Sequence, residues 1–306
     1  MSGIVVAGYS DVGFRCTKWL LDAGEPVRLI YTHADNPKEA RWWESLADLG
    51  RSRGVPVLLV ESLDDPAETE RMRAVAPEFF FSFYFRKMIP MRLLTLASHG
   101  ALNMHGSLLP AYRGRSPINW AILKGEKQTG ASLHYMAEKA DAGDLVDQVP
   151  VPIGPDDDAL AVSKRVGDAA VMVISRCWPY LKAGKAPRRP LDISKGSYFG
   201  GRKPEDGQID WAQPAQDVHN LVRAVAPPWP GAFTDLFGPK AIIIKTRLGA
   251  YGGHDTFPGK VEPTENSVIV YCGDDRPVEI LAGQPQGYPP MNAAQFRAWV
   301  AQQGRE

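Results

Sequence analysis

A chain of 306 residues is long enough for two domains, and its 44% hydrophobic content is that of a globular protein with a sizeable core. Lys+Arg and Asp+Glu both number 35, so the formal net charge is zero and gives no reason to expect a nucleic acid or an anionic membrane as partner. Cys16, Cys177 and Cys272 lack the paired spacing of a zinc site or a disulfide framework, which fits a reducing cytosol. The start, Met1-Ser2-Gly3, runs directly into an apolar strand without the pattern of a signal peptide, and no apolar stretch is long enough to span a membrane. A cytoplasmic protein is expected.

Ile4-Val5-Val6-Ala7-Gly8 reads as a strand, and residues 12–23, with Val12, Cys16, Trp19 and Leu20 at helical spacing, as the helix after it. A strand at 27–31, a helix at 39–53 closed by Gly54, a strand at 57–60, a helix at 66–75 and a buried strand at 79–83 continue the alternation. Strands alternating with helices predict a parallel sheet covered on both faces. Gly8 and Gly13 are spaced Gly-x-x-x-x-Gly, without the middle glycine of a dinucleotide fingerprint and without the Lys-Ser/Thr of a phosphate loop; they are read as a turn and close packing.

Residues 101–105 read as the end of an extended strand, and residues 117–124 as a short helix with Pro117 in its first turn and Gly125 as its stop. Strands at 129–136 and 145–151 then flank an acidic loop. A long amphipathic helix is predicted over 156–178, ending before Pro179, with Asp156-Asp157-Asp158 at its N-terminus, where acidic residues suit the helix dipole better than they suit a metal. From residue 182 to 207 glycines and prolines break any regular pattern. A linker is placed at 191–207, between a domain over 1–190 and another over 208–306. Within it, residues 198–207 combine aromatic, basic and glycine residues, which suits a nucleotide base and phosphate or, equally, a solvated basic linker. Beyond it come a helix at 214–225, short strands at 233–237, 241–247, 259–262, 267–272 and 278–282 with glycine turns, as in a small barrel, and a helix at 293–302.

The chemistry concentrates in Asn103-Met104-His105-Gly106-Ser107-Leu108-Leu109-Pro110, followed by Tyr112-Arg113-Gly114-Arg115 and, 36 residues after the histidine, by Asp141-Ala142-Gly143-Asp144. On an extended strand Asn103 and His105 point to the same side. Gly106 lets the backbone leave the strand in a conformation that a side chain would obstruct, and Pro110 closes the turn, so the pair sits at the mouth of a loop, where open α/β sheets bind ligands. Acyl transfer to an amine needs donors where an oxyanion develops and a base for the amine proton. Asn103 and His105 can supply donors, and Asp141 can orient the imidazole or take the proton. Taken singly, each also has a structural explanation: a satisfied histidine, a turn-forming asparagine, an acidic turn.

Together these residues resemble the 10-formyltetrahydrofolate-dependent formyltransferases, whose signature is Asn-x-His-x-Ser-Leu-Leu-Pro-x-Tyr-Arg-Gly with a later Asp-x-Gly. The resemblance covers essentially the whole chain. It implies α/β architecture, with a Rossmann-like parallel-sheet formyltransferase domain followed by a small OB-like β-barrel domain. It makes Asn103, His105 and Asp141 the catalytic residues. The 10-formyltetrahydrofolate co-substrate is expected along Lys87, Met88 and Ile89 and against Ala137, Glu138, Lys139, Ala140 and Asp141, with no metal.

Within the family, Arg113-Gly114-Arg115-Ser116-Pro117-Ile118-Asn119-Trp120, Phe199-Gly200-Gly201-Arg202-Lys203-Pro204 and residues 223–233 look like the formyltransferase domain of the bifunctional polymyxin-resistance (lipid A modification) enzyme, which formylates UDP-4-amino-4-deoxy-L-arabinose. The decarboxylase fused to that enzyme is not expected on this chain, so another nucleotide-linked amino sugar remains open as substrate. Arg115, and with it Arg202, is expected to hold the diphosphate. The expected partners are a nucleotide sugar and a folate; the oligomeric state is not legible. Methionyl-tRNA formylation is the alternative enzyme, and a folate or nucleotide-sugar sensor the alternative outside catalysis.

Overall fold

The alternation of apolar runs is realised as a seven-stranded sheet in the computed structural model of the chain, which describes residues 3–37, 39–250 and 255–304. Met1 and Ser2, part of the expected lead into the first strand, lie outside the described residues. Strands β1 (Ile4–Gly8), β2 (Val27–Thr32), β3 (Val57–Leu59), β4 (Phe79–Phe83) and β5 (Gly100–His105) pair in parallel in the order β3-β2-β1-β4-β5. All five residues of β1 and all five of β4 are buried, as strands covered on both faces must be. Helices α1 (Ser10–Asp22), α2 (Leu46–Ser52), α3 (Ala67–Val75) and α4 (Met91–Leu94) occupy the connections. A Cβ on Gly13 would stand 3.1 Å from the backbone of Gly8 and of Phe83, so the glycine spacing serves close packing of α1, as expected.

Beyond β5 and the two-residue strand β6 (Arg113–Gly114), the chain forms α5 (Pro117–Leu123) and then β7 (Gln128–Tyr135) and β8 (Leu145–Pro152). These two strands, expected on either side of the acidic loop, continue the parallel sheet with antiparallel pairings, β5-β7-β8. Between β7 and β8 a hairpin connection forces this, because residues 136–144 are too few for the crossover that parallel neighbours require.

Two predicted helices differ in extent. The helix expected over 39–53 begins only at Leu46, where the Ser45 hydroxyl accepts the Asp48 N–H as a cap. Residues ahead of it are drawn away by tertiary contacts: Glu39 takes both terminal nitrogens of Arg86, and the Trp43 ring packs edge-on against Tyr9. Helix α6 (Ala159–Lys182) runs through Pro179 and does not end before it. The proline lies in the last turn, so it forfeits only the donor to one carbonyl. At the other end the helix begins at Ala159 rather than at residue 156, capped by Asp158, which accepts the Ala161 N–H, while Asp157 closes the preceding turn by accepting the Gly154 N–H.

The chain divides into two units, one built from residues up to Pro117 with Gln128–Pro152 and Ser163–Gly200, the other from Ile118–Lys127, Ile153–Val162 and the residues from Gly201 on. After β9 (Tyr198–Phe199), which pairs with β6 in the first unit, the second unit holds α7 (Ala215–Val225) and an antiparallel sheet. Its strands are β10 (Ala232–Thr234), β11 (Ala241–Leu248), β12 (Val261–Pro263), β13 (Val268–Tyr271), β14 (Pro277–Pro285) and the unpredicted β15 (Met291–Asn292), in the order β10-β11-β14-β13-β12 with β15 on β14. Helix α8 (Ala293–Gln302) closes the chain under an Asn292 capping box. Strand β10 is shorter than the expected 233–237 because a turn at Asp235, closed by the Gly238 N–H, follows it. The buried Arg223 of α7 holds this unit's non-contiguous segments together, donating to the Gly154 and Asp157 carbonyls and to Asn220 Oδ1. No helix among the described residues is long and apolar enough to cross a membrane.

Candidate active site

The catalytic candidates lie on β5 and on the hairpin beside it. In register, Asn103 faces His134 of β7 and His105 faces Ser132, so alternate positions of both strands share one side. Asn103 Nδ2 donates to His134 Nε2 at 3.1 Å and to Asp141 Oδ1 at 3.2 Å. His105 Nδ1 stands 3.5 Å from the same Asp141 oxygen, and the other carboxylate oxygen accepts the Gly114 N–H at 2.9 Å. The three expected residues therefore converge on one carboxylate. Asp141 holds φ at 51°, a left-handed conformation that turns its carboxylate back toward β5.

The hydrogen bonds fix the protons. His105 Nε2 lies 2.8 Å from the Tyr112 carbonyl and must donate to it, which leaves Nδ1 as a lone pair in the neutral ring. His134 Nδ1 donates to the Tyr135 carbonyl at 2.8 Å, so its Nε2 accepts from Asn103. Both amide hydrogens of Asn103 are then committed, one to an imidazole and one to a carboxylate. Burial holds His105 below the usual imidazole range; the Asp141 charge and the Tyr112 carbonyl oppose this, while His134 and Arg113 add to it. Burial pushes Asp141 the other way, upward, but His105, His134 and the Gly114 N–H outweigh it and keep the carboxyl well below the ordinary value. The site thus holds a neutral His105 whose Nδ1 lone pair faces an ionised Asp141 with no hydrogen between them.

The loop after β5 is pinned from behind. Ser107 Oγ donates to the Ala111 carbonyl, Ser132 Oγ to the Ser107 carbonyl and Gln148 Nε2 to the Leu109 carbonyl. A side chain at Gly106 would be obstructed, as expected. Its φ is not among the positive values; the obstruction is the buried Tyr84 hydroxyl, which an added Cβ would overlap.

Of the expected folate contacts, Met88 is 62% exposed on the loop after β4, and Lys87 is its exposed neighbour, whereas the Ile89 side chain is buried in the core with Leu93 and Leu94. Ile89 thus anchors that loop. Ala137, Glu138, Lys139 and Ala140 form the partly exposed hairpin that leads into Asp141. Arg115 is exposed on the first unit, next to Gly114. Arg202 belongs to the second unit, where its guanidinium lies 4.9 Å from the Trp120 ring centroid and donates to the Asp206 carbonyl. Sequence reasoning missed His134. The signal was there: Ser132 and His134 are polar residues at alternate positions among Ala131 and Leu133, on the side that β7 presents to Asn103 and His105. Among the described residues no cluster of His, Cys, Asp or Glu is arranged to hold a metal ion.

An open α/β sheet with an Asn, His and Asp gathered at the carboxyl end of a central strand has the composition of an acyl-transfer site that works without a nucleophilic side chain. Residues 34–177 match the family model described as formyl transferase, and residues 202–298 match that of the formyl transferase C-terminal domain. The chain belongs to the formyl transferases and is an enzyme of that class. Among solved structures it is similar to the N-formyltransferase from Helicobacter canadensis in complex with folinic acid and dTDP-3-aminofucose, at 18% identity and TM-score 0.71, over 93% of this chain and 100% of that one. WlaRD, a sugar 3-N-formyltransferase determined in the presence of dTDP and 5-N-formyl-tetrahydrofolate, matches at 18% identity and TM-score 0.70, over 94% and 99%. HypX from Aquifex aeolicus in complex with tetrahydrofolic acid matches at 18% and 0.65, over 97% of this chain but 47% of its own. At these identities the likeness is one of fold.

Proposed function

We propose that the enzyme transfers the formyl group of 10-formyltetrahydrofolate to the amine of a nucleotide-linked amino sugar, with UDP-4-amino-4-deoxy-L-arabinose as the substrate its motifs favour. The observation that carries this reading is the pair of facing acceptors. His105 Nδ1 and Asp141 Oδ1, 3.5 Å apart with no hydrogen between them, form a seat for an N–H donor, which a neutral amine supplies. The folate lies along Lys87 and Met88 and against the hairpin 137–141. The solved relatives that hold a folate and a thymidine nucleotide or nucleotide sugar support that pairing of ligands.

The amine nitrogen attacks the formyl carbon, and the carbonyl becomes an oxyanion. The amine gives its proton to His105 Nδ1, and the imidazolium forms beside the ionised Asp141. With Nδ1–H now donating to Asp141 Oδ1, the longer bond from Asn103 to that oxygen is released and the freed N–H meets the oxyanion. Collapse breaks the bond between the formyl carbon and folate N10, which takes the proton back from His105. A formamide and tetrahydrofolate result, and His105 is neutral again. His134 holds the second Asn103 hydrogen throughout and so keeps the carboxamide in place. Arg115 holds the diphosphate; Arg202, engaged by Trp120 and Asp206, is left out of the reading.

The test is a formyl-transfer assay with 10-formyltetrahydrofolate and, as acceptors, UDP-4-amino-4-deoxy-L-arabinose, dTDP-linked amino sugars and methionyl initiator tRNA, read by mass spectrometry. Transfer to the arabinose nucleotide is the expected result. Transfer to a different nucleotide sugar alone would change the substrate and keep the mechanism, and transfer to the tRNA alone would overturn the reading.

A further inference from the structure

The backbone of residues 112–114 supplies both anchors of the His105–Asp141 pair, the Tyr112 carbonyl and the Gly114 N–H. That backbone is itself held by residues 197–199. Tyr112 N–H donates to the Ser197 hydroxyl at 2.9 Å, Arg113 N–H to the Ser197 carbonyl at 3.0 Å and Arg115 N–H to the Phe199 carbonyl at 2.9 Å. The Tyr112 and Phe199 rings stack with centroids 5.2 Å apart, and a Cβ on Gly114 would overlap the Phe199 carbonyl. Arg113 is in register with Tyr198, and Gly114 with Phe199. The Arg113 guanidinium lies at the Tyr198 ring, Phe199 packs against Tyr112, and Arg115, one residue beyond Gly114, is exposed.

Two independent features mark the Tyr198 side as a place for a ligand. The Tyr198 side chain is 60% exposed, whereas its strand neighbour Phe199 is packed. Beneath it the guanidinium of Arg113 lies 6.0 Å from the ring centroid; Arg113 is only 7% exposed, and its Nε and Nη1 have no partner among the described residues. A buried guanidinium with two unpaired donors is costly unless an anion comes to it. An aromatic ring backed by a cation is a stacking platform for a planar base, and guanidinium groups beside it suit phosphate oxygens.

We propose that Tyr198, Arg113 and Arg115 form the nucleotide subsite, with the base stacked on the exposed face of Tyr198 and the phosphates drawn to the two guanidinium groups. The proposal rests on the nucleotide-sugar reading above. The same short ladder presents Tyr198 outward and fixes Tyr112 and Gly114 inward. Nucleotide binding and the alignment of His105 with Asp141 are therefore coupled, and Ser197 and Phe199 are positioning residues.

Calorimetric titration of the full chain with UDP and with dTDP, without folate or amine, isolates this subsite from the chemistry. Wild type should bind at least one of them; Tyr198→Ala should weaken that binding roughly tenfold or more, and Tyr198→Phe should keep it, because the ring and not the hydroxyl makes the platform. Phe199→Ala should lower kcat more than it raises KM for the nucleotide sugar, a split that general loss of fold would not give. If Tyr198→Ala bound within twofold of wild type, the subsite would be wrong and the proposed reaction would stand. If wild type bound neither nucleotide, the subsite would fail together with the nucleotide-sugar reading.

Discussion

Replacing Asp141 by Asn separates the charge of this residue from its shape. Asp141 accepts from Gly114 N–H on one oxygen and from Asn103 on the other. An asparagine keeps only one acceptor, and its amide nitrogen would then face Asn103 Nδ2, itself a donor, and the His105 Nδ1 lone pair. The amide would donate to Nδ1, filling the position that the amine proton needs. The larger loss is electrostatic. At the observed 3.5 Å, an imidazolium and a carboxylate attract by about 5 kcal/mol at an effective dielectric of about 20, and spreading of the imidazolium charge lowers this to roughly 3–4 kcal/mol. Only the transition state and intermediate carry that imidazolium, so the loss falls on kcat, by about 10²- to 10³-fold. Steady-state formyl transfer at saturating folate and nucleotide sugar measures it, with a melting curve to show that the variant is folded and a nucleoside diphosphate inhibition constant to show that binding persists. A folded Asp141→Asn enzyme within about threefold of wild-type kcat would refute the reasoning.

The acid limb of kcat/KM should lie below pH 6.5, because burial keeps His105 neutral to lower pH than an exposed imidazole; a pH–rate profile with that limb centred above 7 would contradict the assigned base. The same depression makes stability fall as pH drops below the unfolded histidine value of about 6.5, since the unfolded chain takes the proton first. The lowered carboxyl of Asp141 adds stability that is present above about pH 4 and is lost as pH falls below it. Gly106→Ala should destabilise by about 1–3 kcal/mol through overlap with the Tyr84 hydroxyl, and Tyr84→Phe in the same chain should recover much of this in chemical denaturation. Arg115→Ala should chiefly raise KM for the nucleotide sugar in the formyl-transfer assay; an unchanged KM would detach Arg115 from the diphosphate. Arg223→Met should lower stability by roughly 2–4 kcal/mol, since it removes donors from two loop carbonyls and from Asn220, and urea unfolding would show it.

Local pattern determined the strands, because apolar runs such as residues 79–83 and 4–8 can be buried on both faces only inside a sheet. It also determined that Asn103 and His105 share a side, since that follows from strand geometry alone. Residues such as Glu39 and Trp43 have an acceptable helical pattern, but Arg86 and Tyr9 claim them, and no local rule contains those partners. Placement against β5 was equally out of reach: the short connection makes β7 and β8 antiparallel to each other, but only the pairing and register of β7 on β5 bring His134 to Asn103. The protonation of the site was decided at the same level. The Tyr112 carbonyl sets the His105 tautomer and the Gly114 N–H holds Asp141, through backbone atoms that every residue carries and no sequence distinguishes. Sequence thus determines which side chains carry the chemistry, and tertiary structure decides which of their atoms carry the protons, because side-chain identity is local and hydrogen-bond partnership across a sheet is not.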